Sequence, residues 1–153
     1  MKNKEYFFRG SKAITLIEGK ETEGRVALVQ HIEKRGGEPP LHIHHEHDEV
    51  IEVQEGELTF FLGEDQFDAV AGNCVFVPKG TPHRFEVKNQ EAKILVTSVP
   101  AGYDSFVQEV GTLVPSGSDQ SSMPTEEDEE DIERLIKIGK KYNMSFFIDG
   151  EWK

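Results

Sequence analysis

The chain has 153 residues, which suits one domain with a hydrophobic core, and it carries 29 acidic against 17 basic side chains. The formal net charge of −12 argues against nucleic acid or an anionic membrane as the partner, because both require a basic surface. No window is apolar over enough residues to cross a bilayer, and the first ten residues lack the apolar run of a signal peptide. We therefore expect a cytoplasmic protein whose partner is a small molecule.

Most of the chain predicts short β-strands separated by turns. Apolar and alternating runs predict strands at 6–8, 13–17, 25–32, 50–54, 58–62, 66–70, 74–77, 83–87 and 92–99. Glycine-containing turns separate them, as at 55–57 and 78–80. Since no helical period occurs in this region, we predict an all-β fold, either a sandwich or a small barrel.

Two residues in these strands, His31 and Cys74, could be taken for reactive or metal-binding groups. In the strand at 25–32, Val26, Leu28 and Ile32 form one apolar face and Ala27 and Val29 lie on the other, which predicts a half or fully buried strand. His31 lies in this strand and has no partner at chelating distance. We therefore interpret His31 as an ordinary strand histidine. The one cysteine, Cys74, cannot form an internal disulfide, and its strand-like neighbours predict a small buried side chain.

The last forty or so residues differ from the rest in composition. Residues 113–124, rich in Pro, Ser and Gly, predict a surface connection that ends the barrel at residue 112. Residues 125–142 predict a helix, with Thr125 and Asp128 at capping-box spacing. The apolar stripe of this helix consists of Ile132, Leu135, Ile136 and Gly139. Asn143 predicts the helix end and 145–148 a last apolar segment, so 125–153 form a helix and tail within the same domain.

The stretch from Gly36 to Gly56 contains four of the six histidines of the chain. His42 and His44 are two residues apart, so on a strand they project from one face and can bind one ion together. Glu49 can point back at them only if the chain turns within 45–48, and His83 follows the later turn at 78–80.

A second grouping is also possible, because His45, His47 and Glu49 have the same parity and could form a row on one strand face. Spacing alone does not choose between the two sets. We favour His42, His44, Glu49 and His83, since they come from separate strands and would enclose an ion. His45 and His47 are then expected on the outer face or behind the ligands.

Three imidazoles and one carboxylate are the ligands of a divalent first-row metal. Iron, manganese, nickel, copper or zinc would suit this set, whereas calcium and magnesium prefer all-oxygen shells. We therefore predict one divalent transition metal per chain. Four protein ligands leave about two octahedral positions for a substrate oxygen and for dioxygen or water.

The spacing of these residues resembles that of the cupins. The first cupin motif falls on Gly36, His42, His44, Glu49 and Gly56. The second falls on Gly72, Pro78, Gly80 and His83, with Val87 where the motif has Asn. The resemblance implies a cupin double-stranded β-helix, a jelly-roll barrel, with a C-terminal α-helix that folds over the barrel or its mouth. The chain looks similar to small single-domain cupins described as quercetin 2,3-dioxygenase-like.

This resemblance implies a metal-dependent dioxygenase acting on a flavonol-like or diketone-like substrate. Glu49 would then alternate between metal ligand and the base that takes the substrate proton. The alternative interpretation is that the protein is a non-catalytic cupin that binds a small molecule, or a cupin-type isomerase. The full set of three histidines and a glutamate favours the dioxygenase, because a barrel kept only for shape needs no ligand set.

Residues on the same strand faces as the ligands are candidates for the substrate pocket. They are Ile51, Val53, Phe60, Phe76 and Phe85. The alternative for these side chains is ordinary core packing. We also expect a homodimer, from the aromatic residues at 6–8, taken to be exposed, and from the resemblance to dimeric cupins.

Overall fold

A computed structural model describes residues 3–115 and 129–153 of the chain. The strands before the first helix are β1 Lys4–Phe8, β2 Ser11–Ile17, β3 Ala27–Lys34, β4 His42–His44, β5 Asp48–Glu55, β6 Glu57–Leu62, β7 Asp65–Val70, β8 Cys74–Val77, β9 His83–Val87 and β10 Glu91–Val99. Then follow α1 Tyr103–Val110, β11 Thr112–Leu113, α2 Glu129–Lys141, β12 Met144–Ile148 and β13 Glu151–Trp152, and a 3-10 helix, Gly19–Thr22, lies between β2 and β3. The predicted strands are present within about two residues of their expected bounds.

The strands form two antiparallel sheets. One has the order β11-β1-β2-β3-β10-β5-β8 and the other β13-β12-β4-β9-β6-β7. From β4 to β10 the chain passes repeatedly from one sheet to the other, as in a jelly roll. The inner faces of both sheets contribute to one hydrophobic core, with Val53 and Ile94 from the first sheet and Leu58 and Phe85 from the second. The predicted jelly-roll fold is confirmed.

Strand β3 faces the interior with every second side chain. Its buried residues alternate with partly buried ones and are Ala27, Val29, His31 and Glu33. Leu28 and Ile32 lie on the opposite face and are partly buried, in agreement with the expected half or full burial of this run. The inner face also carries two titratable side chains, those of His31 and Glu33.

The C-terminal segment is built into the fold. Strand β12 pairs with β4, with Met144 opposite His44 and Phe146 opposite His42. Helix α2 buries Leu135 and Ile138 in the same core. Asn143, at φ 57°, follows the helix end as predicted. The predicted Thr125 cap and most of the connection at 113–124 lie outside the described residues, so the domain boundaries stay a prediction.

Burial and helix length bear on three other features: the aromatic residues at 6–8, Cys74 and the helices. Tyr6 and Phe8 are each 7% exposed and belong to the core, so the exposed apolar patch invoked for a homodimer is wrong, while the dimer itself stays a prediction. Cys74 is exposed rather than buried. In residues 3–115 and 129–153, no helix has the length and apolar character needed to cross a membrane.

The close approach of α2 to β12 generates a prediction. A Cβ at Gly139 would lie 2.5 Å from Cε2 of Phe146, whose buried ring stacks on His42. Alanine would gain about 1 kcal/mol of helix propensity. Overpacking a core of this kind costs about 1–3 kcal/mol, so we expect Gly139→Ala to lower the free energy of unfolding by about 1 kcal/mol in urea denaturation. Lys140→Ala, at an exposed neighbouring position, should change it little; a Gly139→Ala protein as stable as wild type would contradict this packing.

Candidate metal centre

Strands β4 and β9 bring three histidines together. His42 and His44 are the first and last residues of β4, and both side chains are buried on its inner face. His83 begins β9 and is paired in register with His42. The His42 and His83 rings have centroids 4.2 Å apart, so three imidazoles meet on the inner face of one sheet.

Glu49 reaches the same point from the opposite sheet. The chain leaves β4 after His44 and begins β5 at Asp48, which is the turn that the spacing predicted. The Glu49 carboxylate oxygens lie 3.0 Å from His44 Nε2 and 3.3 Å from His83 Nε2. The side chain of Glu49 is only 4% exposed, so the carboxylate sits between the two sheets and away from bulk water.

The turn before His83 is held against the ligand strand by backbone hydrogen bonds. The Gly80 amide donates to the His44 carbonyl at 2.8 Å, and the Lys79 amide donates to the Asp48 carboxylate at 2.9 Å. Gly80 has φ 80°, a left-handed conformation that favours glycine. This geometry explains why a glycine lies three residues before His83.

The hydrogen bonds of the histidines leave their Nε2 atoms available. Nδ1 of His42 donates to the Pro40 carbonyl at 2.8 Å, and Nδ1 of His83 donates to the Thr81 carbonyl at 2.9 Å. A carbonyl can only accept, so in the neutral rings Nε2 carries a lone pair. Among the described residues, Nε2 of His44 and of His83 has no hydrogen bond of acceptable geometry, although both face Glu49. This donor set fits a divalent metal ion.

The protonation states also suit a cation. Burial, and then the neighbouring imidazoles of His83 and His44, lower the pKa of His42 well below its ordinary value. Burial alone would raise the pKa of Glu49, but the neighbouring imidazoles of His44 and His83 outweigh it and hold that pKa well below the ordinary value. Near neutral pH the site therefore contains the neutral imidazole of His42 and the ionised carboxylate of Glu49.

The alternative grouping of His45, His47 and Glu49 does not form as one set. His45 is exposed, and its Nε2 hydrogen-bonds with the Ser145 hydroxyl at 2.8 Å. His47 is 6% exposed, and its Nε2 lies 3.9 Å from Glu49 Oε1 without a hydrogen-bond partner among the described residues. Two overlapping groups thus have ligand atoms within 4.8 Å of one another: His42, His44 and His83, and His44, His47 and Glu49. His47 is buried on the inner side of the barrel, beside Glu49. The expectation was a position on the outer face or behind the ligands.

A mostly apolar cavity opens beside the histidines. It contains about 500 Å³ of space when its mouth is counted, but most of this space consists of gaps too narrow for the centre of a water molecule. Of the five residues predicted to line a pocket, Ile51 and Phe85 lie on the cavity wall. Val53 and Phe60 pack elsewhere in the core. Phe76 is 57% exposed because β8 turns Val75 and Val77 inward, so its assignment to the pocket is wrong.

The far end of the same cavity carries polar residues to which the sequence pattern assigns no role in a site. His31 and Glu33 project into it from β3, and Tyr103 from α1. The Tyr103 hydroxyl lies 2.9 Å from His31 Nε2, and Glu33 is 3% exposed. Burial first, and then the charge of Glu38, raises the pKa of Glu33 to about 8, against the opposing effects of Arg9 and Ser11. The i, i+2 spacing of two titratable residues on a strand was the available signal, as it was for His42 and His44.

The raised pKa of Glu33 predicts a pH-dependent stability in the metal-free protein. The unfolded chain releases this proton near pH 4.5, whereas the folded chain keeps it to about pH 8. The free energy of unfolding should therefore fall between these values, by up to about 1.4 kcal/mol per pH unit. Glu33→Gln removes the effect, so its stability relative to wild type should rise steadily from pH 5 to pH 8 in urea denaturation. Glu91→Gln, at an exposed site, should show no such trend, and a flat difference for Glu33→Gln would count against the burial of an acid at this position.

Comparisons with known proteins agree with this architecture. A family model described as a cupin domain matches residues 28–99. Quercetin 2,3-dioxygenase of Bacillus subtilis (strain 168) is 26% identical over 90 residues, covering 59% of this chain and 27% of the enzyme. An uncharacterized protein of Methanocaldococcus jannaschii is 31% identical over 75 residues, covering 48% of this chain and 60% of that protein. An RmlC-like cupin from Shewanella frigidimarina superposes with a TM-score of 0.57 at 24% identity, covering 67% of this chain and 86% of that one.

The chain spans less than two thirds of the length of either curated relative. The matched region nevertheless contains both histidine motifs, from His42 to His83, and all of the strands from β4 to β10. The two-sheet jelly roll and the buried cluster of histidines and glutamate lie where the family match places the domain. Residues 28–99 therefore match the cupin domain, and the jelly roll to which they belong has the fold of that family.

Proposed function

We propose that the protein is a metal-dependent dioxygenase that acts on a small, enolisable organic molecule, with one divalent metal held by His42, His44, Glu49 and His83. The observation that carries this proposal is the set of buried Nε2 atoms that face Glu49 without hydrogen bonds beside an apolar cavity. The likeness to quercetin 2,3-dioxygenase supports the reaction class.

The protein's own groups have definite roles in this proposal. A divalent ion held by these four residues would supply a Lewis acid. Glu49 is ionised, so it serves as a ligand and, through its second oxygen, as the acceptor of the substrate's proton. Pro40 and Thr81 hold the rings of His42 and His83 in one orientation through their carbonyls.

The dimensions of the cavity narrow the substrate class. Because the wall is closely packed, a flavonol could enter only if several aromatic side chains moved, whereas a small β-diketone requires less displacement. The wall around the histidines is apolar and includes Phe85, Phe106 and Phe146. These features favour a compact, largely apolar diketone over a charged or sugar-like substrate.

The proposed ligand set predicts the effect of single substitutions on metal content. Wild-type protein purified without chelator should bind one divalent metal per chain, measured by mass spectrometry. His42→Ala and His83→Ala should lose it, because each removes one of four ligands, while circular dichroism shows a retained fold. His45→Ala is the matched control and should bind metal normally, since His45 is exposed and bonded to Ser145.

His47→Ala distinguishes the two overlapping groups of ligand atoms. If His47 lies behind the ligands, its loss should lower the affinity for the metal by about 10–100-fold at most. One ion per chain should still bind at saturation. Complete loss of metal in His47→Ala, with normal binding in His42→Ala and His83→Ala, would mean that His44, His47 and Glu49 form the site instead.

The proposed reaction predicts oxygen consumption. Protein reconstituted separately with iron, manganese, nickel or copper should consume dioxygen in an oxygen electrode when a β-diketone from a panel of diketones and flavonols is added. Metal-free protein and His42→Ala should not, and His45→Ala should match wild type. Absence of uptake with all four metals and the whole panel would move the function to a binding or isomerase cupin.

A further inference from the structure

A second polar cluster, which we name the β3 cluster, consists of His31, Glu33 and Tyr103. His31 and Glu33 are two residues apart on β3 and share its inner face. Tyr103 is the first residue of α1, and its hydroxyl lies 2.9 Å from His31 Nε2. His31 Nδ1 in turn lies 3.5 Å from Glu33 Oε1. These three side chains line the cavity that also contains the histidines of the metal centre.

Two atoms of the β3 cluster lack a hydrogen-bond partner within residues 3–115 and 129–153. They are His31 Nδ1 and Glu33 Oε2, on side chains that are 2% and 4% exposed. Buried polar atoms in folded proteins are nearly always bonded, because an unpaired one lowers stability. Atoms of this kind on a cavity wall are complementary to a polar atom that enters the cavity.

The β3 cluster is uncharged near neutral pH. Burial lowers the pKa of His31 to about 4 and raises the pKa of Glu33 to about 8. Burial first, and then the negative charge of Glu49, raise the pKa of Tyr103 well above its ordinary value. A carboxylic acid donates a hydrogen bond to an oxygen, and a neutral imidazole donates or accepts one. A carbonyl or hydroxyl oxygen fits this pair.

The cluster and the metal centre are close neighbours. The Tyr103 ring packs edge-on against the His44 ring, with centroids 5.7 Å apart. Apolar side chains, among them Ile94 and Phe106, line the same cavity. A molecule that lies in this cavity can therefore place its apolar part against these side chains and a polar oxygen against the β3 cluster.

We propose that the β3 cluster is a substrate-recognition site, in which Glu33 and His31 bind a carbonyl or hydroxyl oxygen of a small, otherwise apolar molecule and Tyr103 holds the His31 ring in place. The inference extends the proposed function, since it names the feature of the substrate that lies away from the metal. It depends on the cavity and not on the metal, and can be tested on metal-free protein.

The test compares two probes of similar size, acetophenone and ethylbenzene, which differ by a carbonyl oxygen. Their affinities for metal-free wild type and variants are measured by ligand-observed NMR titration. Glu33→Leu should lower the affinity for acetophenone relative to ethylbenzene by about tenfold, because it removes the hydrogen-bonding group. Glu33→Gln, whose amide donates and accepts, should keep most of the preference. Glu91→Leu, on the neighbouring strand at an exposed position, should leave the ratio unchanged.

The outcomes separate this inference from the metal proposal. An unchanged ratio in Glu33→Leu, or no binding of either probe to wild type, would overturn the recognition site even if metal binds as proposed. Failure of wild type to bind any metal would overturn the dioxygenase and leave the probe experiment intact. If Glu33→Leu does not fold, His31→Phe gives the same comparison, since it keeps an aromatic ring and removes both nitrogens.

Discussion

The structure depends on one carboxylate buried between two sheets. Glu49 belongs to β5 in the seven-stranded sheet, and its oxygens face His44 and His83 of the six-stranded sheet at 3.0 and 3.3 Å. A buried, ionised carboxylate without partners would lower the free energy of unfolding by several kcal/mol. Glu49 is therefore stable between the sheets only because imidazoles, or a bound cation, lie next to its oxygens. Three elements hold the Glu49 carboxylate within about 3 Å of the His44 and His83 rings: the short strand β4, the turn at 45–47 and the turn that ends at Gly80.

The C-terminal segment is part of the site rather than an appendage. Strand β12 extends the six-stranded sheet next to β4, and Phe146 stacks on His42 with ring centroids 5.9 Å apart. Leu135 from α2 and Met144 from β12 also line the cavity. The family match ends at residue 99, so it contains the histidine cluster but not Tyr103 or the C-terminal wall. Relatives that match this region can therefore resemble the histidine cluster and differ in Tyr103 and in the C-terminal wall of the cavity.

Local rules predicted most strands and the shared face of His42 and His44, because strand alternation and turn chemistry depend on residues close in sequence. They failed where the outcome depends on distant partners. Alternation along β3 does not reveal that His31 and Glu33 face a cavity. Tyr103 lies 72 residues from His31, and nothing near either residue indicates their hydrogen bond. Helix α1, with eight residues, is too short to give a clear helical period.

The cavity thus has two polar regions separated by apolar walls, and the two have different physical origins. The candidate metal centre combines the neutral imidazole of His42 with the ionised carboxylate of Glu49, whose negative charge would partly compensate that of a bound cation. The β3 cluster has no counter-ion role, because burial keeps His31 and Glu33 neutral near pH 7. Each unpaired buried atom costs about 1–3 kcal/mol, a large share of the roughly 5–15 kcal/mol that stabilises a domain. A cluster that costs this much in the empty cavity recovers it when an oxygen of the substrate enters, so the same burial that destabilises the free protein favours the bound one.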